Sequence, residues 1–285
     1  MNDVRTRLTR QRRMKSALVA SALLMIVIGL WHAAVSGTAG GAGMDPEYAA
    51  LMGAAAQGGS ALPSPATVAS TLVSHLFSPL QYPGTTQPGI LIHLGHSIAR
   101  VLTGFLLAVA VAVPVGFLIG MSPVMRGGLD PFVQVLKPVS PLAWLPLALY
   151  TIKDAQTSAI FVIFVCSIWP TLINTSFGVM RVRQEWINVA RTLQVGPGRL
   201  VRRILLPAAA PTILAGMRIS IGIGWLVIVA AEMLVGGTGI GYFIWNEWNN
   251  LQIANIIVAI LAIGAVGVLL DWTLAFIGRQ FTYDE

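Results

Sequence analysis

Four ionisable side chains, Arg100, Arg218, Glu232 and Asp271, interrupt stretches that are otherwise almost wholly apolar. A charge at membrane depth is costly, so such residues pair with one another, line a water-filled path, or do both. Arg218 lies about seven residues into one apolar run and Asp271 about six from the end of the next. At about 1.5 Å per residue, antiparallel helices would set these two at similar depth, and the same count matches Arg100 with Glu232. The chemistry open to them is twofold: structural ion pairs inside a helix bundle, or an arginine that offsets the charge of a passing anion. Trp144 joins them, because with Trp169 and Trp225 it sits inside an apolar run. A large ring beside Pro141 and Pro146 suits either a bundle core or a constriction that gates by dewetting.

A second group is polar. Six of the 18 Lys and Arg residues fall in residues 181–207, RVRQEWINVARTLQVGPGRLVRRILLP, against one acid, Glu185. Ile187, Ala190, Arg191 and Gln194 share a helical face there, and a Gly-Pro-Gly break follows at 196–198. A short helix, a break and a basic run closing on Leu206 and Pro207 form a docking element.

Other chemistries lack their residues. The chain has no P-loop, so ATP has to be bound by a partner. Cys166 is the single cysteine and packs within a span. His93 and His96 have ligand spacing but no third donor nearby, so no metal site is expected; a polar rim is the plainer reading, a pH-sensitive gate the sharper one. Residues 237–241, GTGIG, follow an apolar helix rather than a strand, which makes them a turn, with backbone N–H groups along an anion path as the alternative. No catalytic set is present.

These residues need a membrane-spanning frame. The 285-residue chain is 55% hydrophobic and 10% charged, with mean hydropathy +0.76. That is far from the roughly one-quarter charged content of soluble domains. Six spans are predicted, near 17–35, 101–121, 138–152, 157–180, 211–235 and 253–277, each about long enough for a bilayer core of about 30 Å. The third carries Pro138, Pro141 and Pro146 and is expected to be a broken helix packed in protein. With the N-terminus inside, 14 of the 18 basic residues fall on the cytoplasmic side, which predicts both termini cytoplasmic. The positive charge therefore reports topology, and nucleic acid is not an expected partner. The first span is expected to be retained as an anchor rather than cleaved. Small residue pairs, Gly116 with Gly120 and Gly222 with Gly224, predict close helix packing.

The organisation expected is all-α and polytopic. A basic N-terminus and first span (1–35) lead to a linker and surface helix (36–90) with Val68, Leu72 and Leu76 on one face. A core (91–285) holds the docking loop 181–207.

That loop resembles the cytoplasmic EAA loop of permease subunits of bacterial ABC importers. Anchored on Ile204, Leu206 and Pro207, the sequence places Asn188, Val189 and Ala190 at the Glu-Ala-Ala positions and Gln194 where the family usually has Gly. NVARTLQ, followed by ILLPAAAPTILAGMRISIGIGWLVIVAAEML, is similar to nitrate and bicarbonate importer permeases. So are LPSPATV, PLAWLP and IFVIFVCSIWPTLINT, and the resemblance covers residues 62–271.

The resemblance implies a type I importer permease fold in a bacterial inner membrane, in contact with lipid. Two copies, a homodimer, would enclose one path. ATPase subunits holding ATP and Mg would dock on Glu185, Asn188, Val189, Ala190, Arg191, Gln194, Leu206 and Pro207, with Ala190 facing them. An extracytoplasmic binding protein would deliver the cargo: nitrate, nitrite, cyanate or bicarbonate, with a sulfonate or taurine as the alternative. An ion-coupled secondary transporter is the rival class, and the internal repeats common there are absent.

Overall fold

A backbone taken out of water must satisfy its own amides, and an apolar run of about twenty residues does so as a helix. The computed structural model describes residues 2–37, 62–82 and 87–279. Among them it holds helices and one isolated bridge, between Gln81 and Pro88, and no strand. In chain order the helices are α1 (Asn2–Gly37), α2 (Pro65–Phe77), α3 (Ile90–Met121), α4 (Pro123–Leu136), α5 (Leu145–Ile152) and α6 (Ala155–Met180). They continue as α7 (Gln184–Thr192), α8 (Pro197–Leu200), α9 (Leu206–Val235), α10 (Ile240–Asn249) and α11 (Ile253–Arg279). A 3₁₀ turn, Pro141–Trp144, leads into α5, and a π-helical turn, Val201–Leu205, joins α8 to α9.

Among the described residues, five stretches are long and apolar enough to cross a membrane: Met14–Ser36, Ile90–Met121, Ala155–Met180, Pro197–Val235 and Ile253–Arg279. The bent pair Pro123–Leu136 and Pro141–Ile152, angled at 88°, makes a sixth if it counts as one. Here the expected third span needs correction. It does not begin at Pro138: α4 precedes it, and the bend falls at residues 137–140. Ser122 caps α4 by accepting from the Met125 amide at 3.3 Å, and Pro123 fits its first turn. Gly127, Gly128 and Asp130 dilute the hydropathy of α4, which hides it from an apolar count.

The chain divides into two compact units, Met1–Phe77 with Leu251–Val258, and Ser78–Asn250 with Ala259–Glu285. In the first, α1 exposes apolar side chains from Leu18 to Leu30. In α2, Val68 and His75 are buried, and His75 Nε2 lies 3.1 Å from Asn255 Oδ1. The expected apolar face is thus turned by a residue, for Leu76 is 68% exposed and His75 takes its place because a polar partner awaits it. The linker expected before α2 falls mostly at 38–61, outside the described residues.

In the second unit α6 is the central helix. A Cβ added at Gly104, Gly116 or Gly120 of α3 would come within 2.8, 2.6 and 2.7 Å of Ile163, Thr175 and Val179 of α6. Both series ascend, so α3 and α6 run parallel, and α4 with α5 must carry the chain back between them. Against α9 the order reverses: Gly216 approaches Asn174 and Gly224 approaches Ser167, an antiparallel contact. Gly222 instead faces open space, so only half of that expected pair packs. Thr171 and Ser220, both fully buried, lie 2.7 Å apart, and the Ser220 hydroxyl donates to the Ser167 carbonyl at 2.6 Å. Trp225 Nε1 donates to the Ile263 carbonyl at 3.0 Å, which ties α9 to α11.

Candidate functional site

At the end of the second unit where α3 begins and α9 ends, one carboxylate organises a closed cluster. Glu232, 2% exposed, accepts from Arg100 Nη1 at 2.7 Å, from the Ser97 hydroxyl at 2.7 Å and from the Gly241 amide at 3.0 Å. Arg100 also donates to Thr238, from Nη1 to the carbonyl and, at 2.9 Å, from Nη2 to Oγ1, while its buried Nε has no hydrogen-bond partner among the described residues. The Ile240 amide donates to Ser97 Oγ at 2.9 Å and the Gly239 amide to His93 Nδ1 at 3.1 Å. Three amides that open α10 thereby meet side chains of α3 and α9, the deficit that every helix start must fill.

Glycine is required at 239, where φ is 132° and a Cβ would lie 2.2 Å from the Glu232 carboxyl carbon. Beside the cluster is a cavity of about 230 Å³ lined by Arg100, Asp154, Gln156, Glu232 and Thr238, among others. Asp154 caps α6: its carboxylate accepts from the Thr157 hydroxyl at 2.6 Å and amide at 2.7 Å, which hold its pKa below the usual value.

Further along α9 the second ion pair is open. Arg218 donates through Nε and Nη2 to the two oxygens of Asp271 on α11, a two-point contact, yet the side chains are 50% and 47% exposed.

At the same end lies the arginine-rich segment. α7 buries Ala190 (3% exposed) and half-buries Ile187, while Trp186, Val189 and Leu193 stand out at 42%, 59% and 70%. Ala190 is buried at the floor of the groove that this helix borders, beneath the exposed side chains of its rim. Its helix is Gln184–Thr192, beginning before Ile187 and ending before Gln194. The Val195 amide donates to the Ala190 carbonyl at 2.9 Å and the Gln194 amide to the Arg191 carbonyl at 3.0 Å, with Gln194 at φ 52°. That is a Schellman ending, whose left-handed position favours glycine. Trp186, Val189, Ala190, Leu193, Ile204 and Pro207 line a mostly apolar groove of about 520 Å³, with Arg203 also at its wall.

A profile described as "Binding-protein-dependent transport system inner membrane component" matches residues 112–283, more than half of the chain. This chain belongs to that family. The permease is 47% identical over 219 residues to the nitrate import permease protein NrtB of Synechocystis sp., covering 77% of this chain and 80% of that protein. It is 43% identical over 205 residues to the bicarbonate transport system permease protein CmpB of the same organism, covering 70% and 73%. Among solved structures, a chain of the inward-facing MetNI methionine ABC transporter aligns with TM-score 0.59 at 14% identity, covering 68% of this chain and 96% of that one. This last likeness is of fold alone.

In the permease both expected ion pairs form, Arg100 with Glu232 and Arg218 with Asp271. Trp144 is half-buried in the 3₁₀ turn, and Trp225 is a core residue of the α9–α11 contact. Glu185 is exposed and pairs with Arg183 at 2.7 Å, and Asn188, Arg191 and Leu206 are also exposed. His93 points into the cluster and His96 away from it, and the described residues contain no group of three or more metal-binding side chains. Ser97 and Thr238 escaped the sequence reading. Their one signal is position: Ser97 precedes Arg100 by three residues on the same helix face, and Thr238 sits inside the glycine turn. The turn also opens α10, a helix that the sequence reading missed.

Proposed function

We propose that this permease forms the translocation path of an ATP-driven importer for a small inorganic anion, nitrate or bicarbonate. The cargoes named for its relatives support the choice. The observation that carries it is the half-exposed Arg218–Asp271 pair within spans, because a charge there favours a water-filled path or protein over lipid. The cluster at the glycine turn plays a different part: both terminal nitrogens of Arg100 are engaged by Glu232 and Thr238, so its role is to anchor α10.

The charge bias supports a cytoplasmic position for the arginine-rich segment and both termini, in a bacterial inner membrane. There the exposed edge of α7 would dock an ATPase through Trp186, Val189 and Leu193, with Glu185, Asn188, Arg191, Gln194, Leu206 and Pro207 around it. Ala190 supports that edge from beneath. ATP and Mg would be held by the ATPase, leaving this chain without catalysis of its own. A second copy would complete the path, and a binding protein would deliver cargo at the glycine-turn end.

The test is stimulation of ATP hydrolysis in the reconstituted complex, with its binding protein, by nitrate, bicarbonate or taurine in turn. Stimulation by nitrate or bicarbonate is expected, and stimulation by taurine alone would transfer the assignment to sulfonates. Val189→Asp should abolish that stimulation by placing a charge on the apolar edge. Unchanged coupling in this variant would remove α7 from the docking role.

A further inference from the structure

We infer that Arg218 grips the passing anion through the free edge of its guanidinium, and that Asp271 aims this edge and keeps the grip weak. The inference rests on the transport reading above and adds a site, a ligand geometry and a release device.

A guanidinium carries five N–H donors in a planar fork. Asp271 takes one from Nε and one from Nη2. Both hydrogens of Nη1 and the second of Nη2 have no other partner among the described residues. One Nη1 hydrogen and the second Nη2 hydrogen form the end-on edge of the plane, the two-point geometry that matches a carboxylate-like oxyanion. Nitrate and bicarbonate are both planar and trigonal, and each offers two coplanar oxygens to such an edge. Because the carboxylate clamps the adjacent edge, the fork is fixed in orientation before any anion arrives, which lowers the ordering cost of binding.

The surroundings leave this edge accessible. One turn from Arg218 along α9, Gly222 faces open space and Ala215 is exposed. Behind the pair, the Trp225 bond to Ile263 fixes the separation of α9 and α11. Counting from Arg279 at about 1.5 Å per residue, Asp271 lies roughly 12 Å into α11, so the half-exposed pair sits within the spans rather than beyond their ends. Charge bookkeeping sets the strength. The pair is neutral overall, so an anion gains directed hydrogen bonds without a full unpaired cation, and a weak site is what conduction needs. By contrast, the cavity at the glycine turn is lined by one cation against the carboxylates of Asp154 and Glu232, a net negative lining that disfavours an anion.

The experiment measures nitrate and bicarbonate uptake by the reconstituted complex, together with folded yield and subunit assembly. Arg218→Lys keeps the charge but loses the fork, and uptake should fall roughly tenfold while yield holds. Asp271→Asn frees the cation, so KM should fall and the maximal rate should fall severalfold as release slows. The exchange Arg218→Asp with Asp271→Arg rebuilds the pair with the fork on the other helix. It should keep its yield but lose uptake. Wild-type yield and uptake together would make the pair a mere tie between helices and overturn the inference. So would wild-type uptake in Arg218→Lys, or loss of subunit pairing in Arg218→Gln, which would assign the exposed edge to the contact between copies. If instead only taurine drives the wild-type complex, the cargo assignment fails while the same variants still test the grip, on a sulfonate.

Discussion

The two ends of the second unit use the same pair of ions for opposite purposes. At the glycine turn, Arg100 and Glu232 are 7% and 2% exposed, and Glu232 accepts from Ser97 and the Gly241 amide besides Arg100. At the arginine-rich end, Arg218 and Asp271 meet at two points but are 50% and 47% exposed. A buried pair repays its desolvation only when further hydrogen bonds support it, and at Arg100 those bonds leave the buried Nε as the one guanidinium nitrogen without a partner among the described residues. An open pair contributes little to stability, and for that reason keeps donors to spare. Closure, not the presence of charge, separates a residue that holds the fold from one that can act on cargo.

The sharpest way to break that contrast is to remove one carboxylate at each end. Glu232→Ala strands a buried guanidinium and the Gly241 amide, and should cost about 3–5 kcal/mol, the range for breaking a buried pair. Thermal unfolding of the purified permease reads this directly. Asp271→Asn should barely move the same midpoint. Equal losses at both ends would erase the distinction.

A smaller effect belongs to the arginine-rich end. Gln194 holds a left-handed conformation at φ 52°, which costs a side-chain residue about 1–2 kcal/mol relative to glycine. Gln194→Gly should therefore raise the unfolding midpoint, by an amount reduced by the extra freedom of glycine in the unfolded chain. No gain would mean that the strain is relieved by contacts outside this chain.

The smallest effect lies at the glycine-turn end. Thr157 holds the Asp154 pKa below its ordinary 3.8. Its contribution to stability is present above that ordinary value and fades as pH falls through the lower folded value. Asp154→Asn keeps a capping oxygen but cannot titrate, so its stability should vary less across the acid range than that of the wild type. Identical acid profiles would show that the cap does not contribute.

Both ion pairs were legible in the sequence because depth along a helix follows from counting residues. Their difference in closure was not, because it depends on Ser97, Thr238 and three backbone amides brought in by a turn whose geometry no periodicity encodes. Gly237 and Gly239 marked a turn correctly, yet the helix that follows was hidden, since IGYFIWNEWN mixes aromatic and polar residues without a long apolar run. The α4–α5 bend was half legible: Pro138 and Pro141 announced a break, but not the capped helix before it. In α7 the depth of Ala190 at the groove floor was not legible, because helical spacing identifies a face without saying how far each side chain on it is covered. Gln194 is the instructive case: resemblance marked it as a glycine position, and its positive φ supplies the reason.

Arg100→Gln and Arg218→Gln, compared side by side for folded yield and nitrate uptake per assembled complex, separate the two roles most directly. Arg100→Gln should lose much of its yield, while the complexes that do assemble transport at close to the wild-type rate. Arg218→Gln should assemble normally and lose most of its uptake. The reverse pattern, with Arg100→Gln stable but inactive and Arg218→Gln unstable but active when assembled, would contradict that assignment.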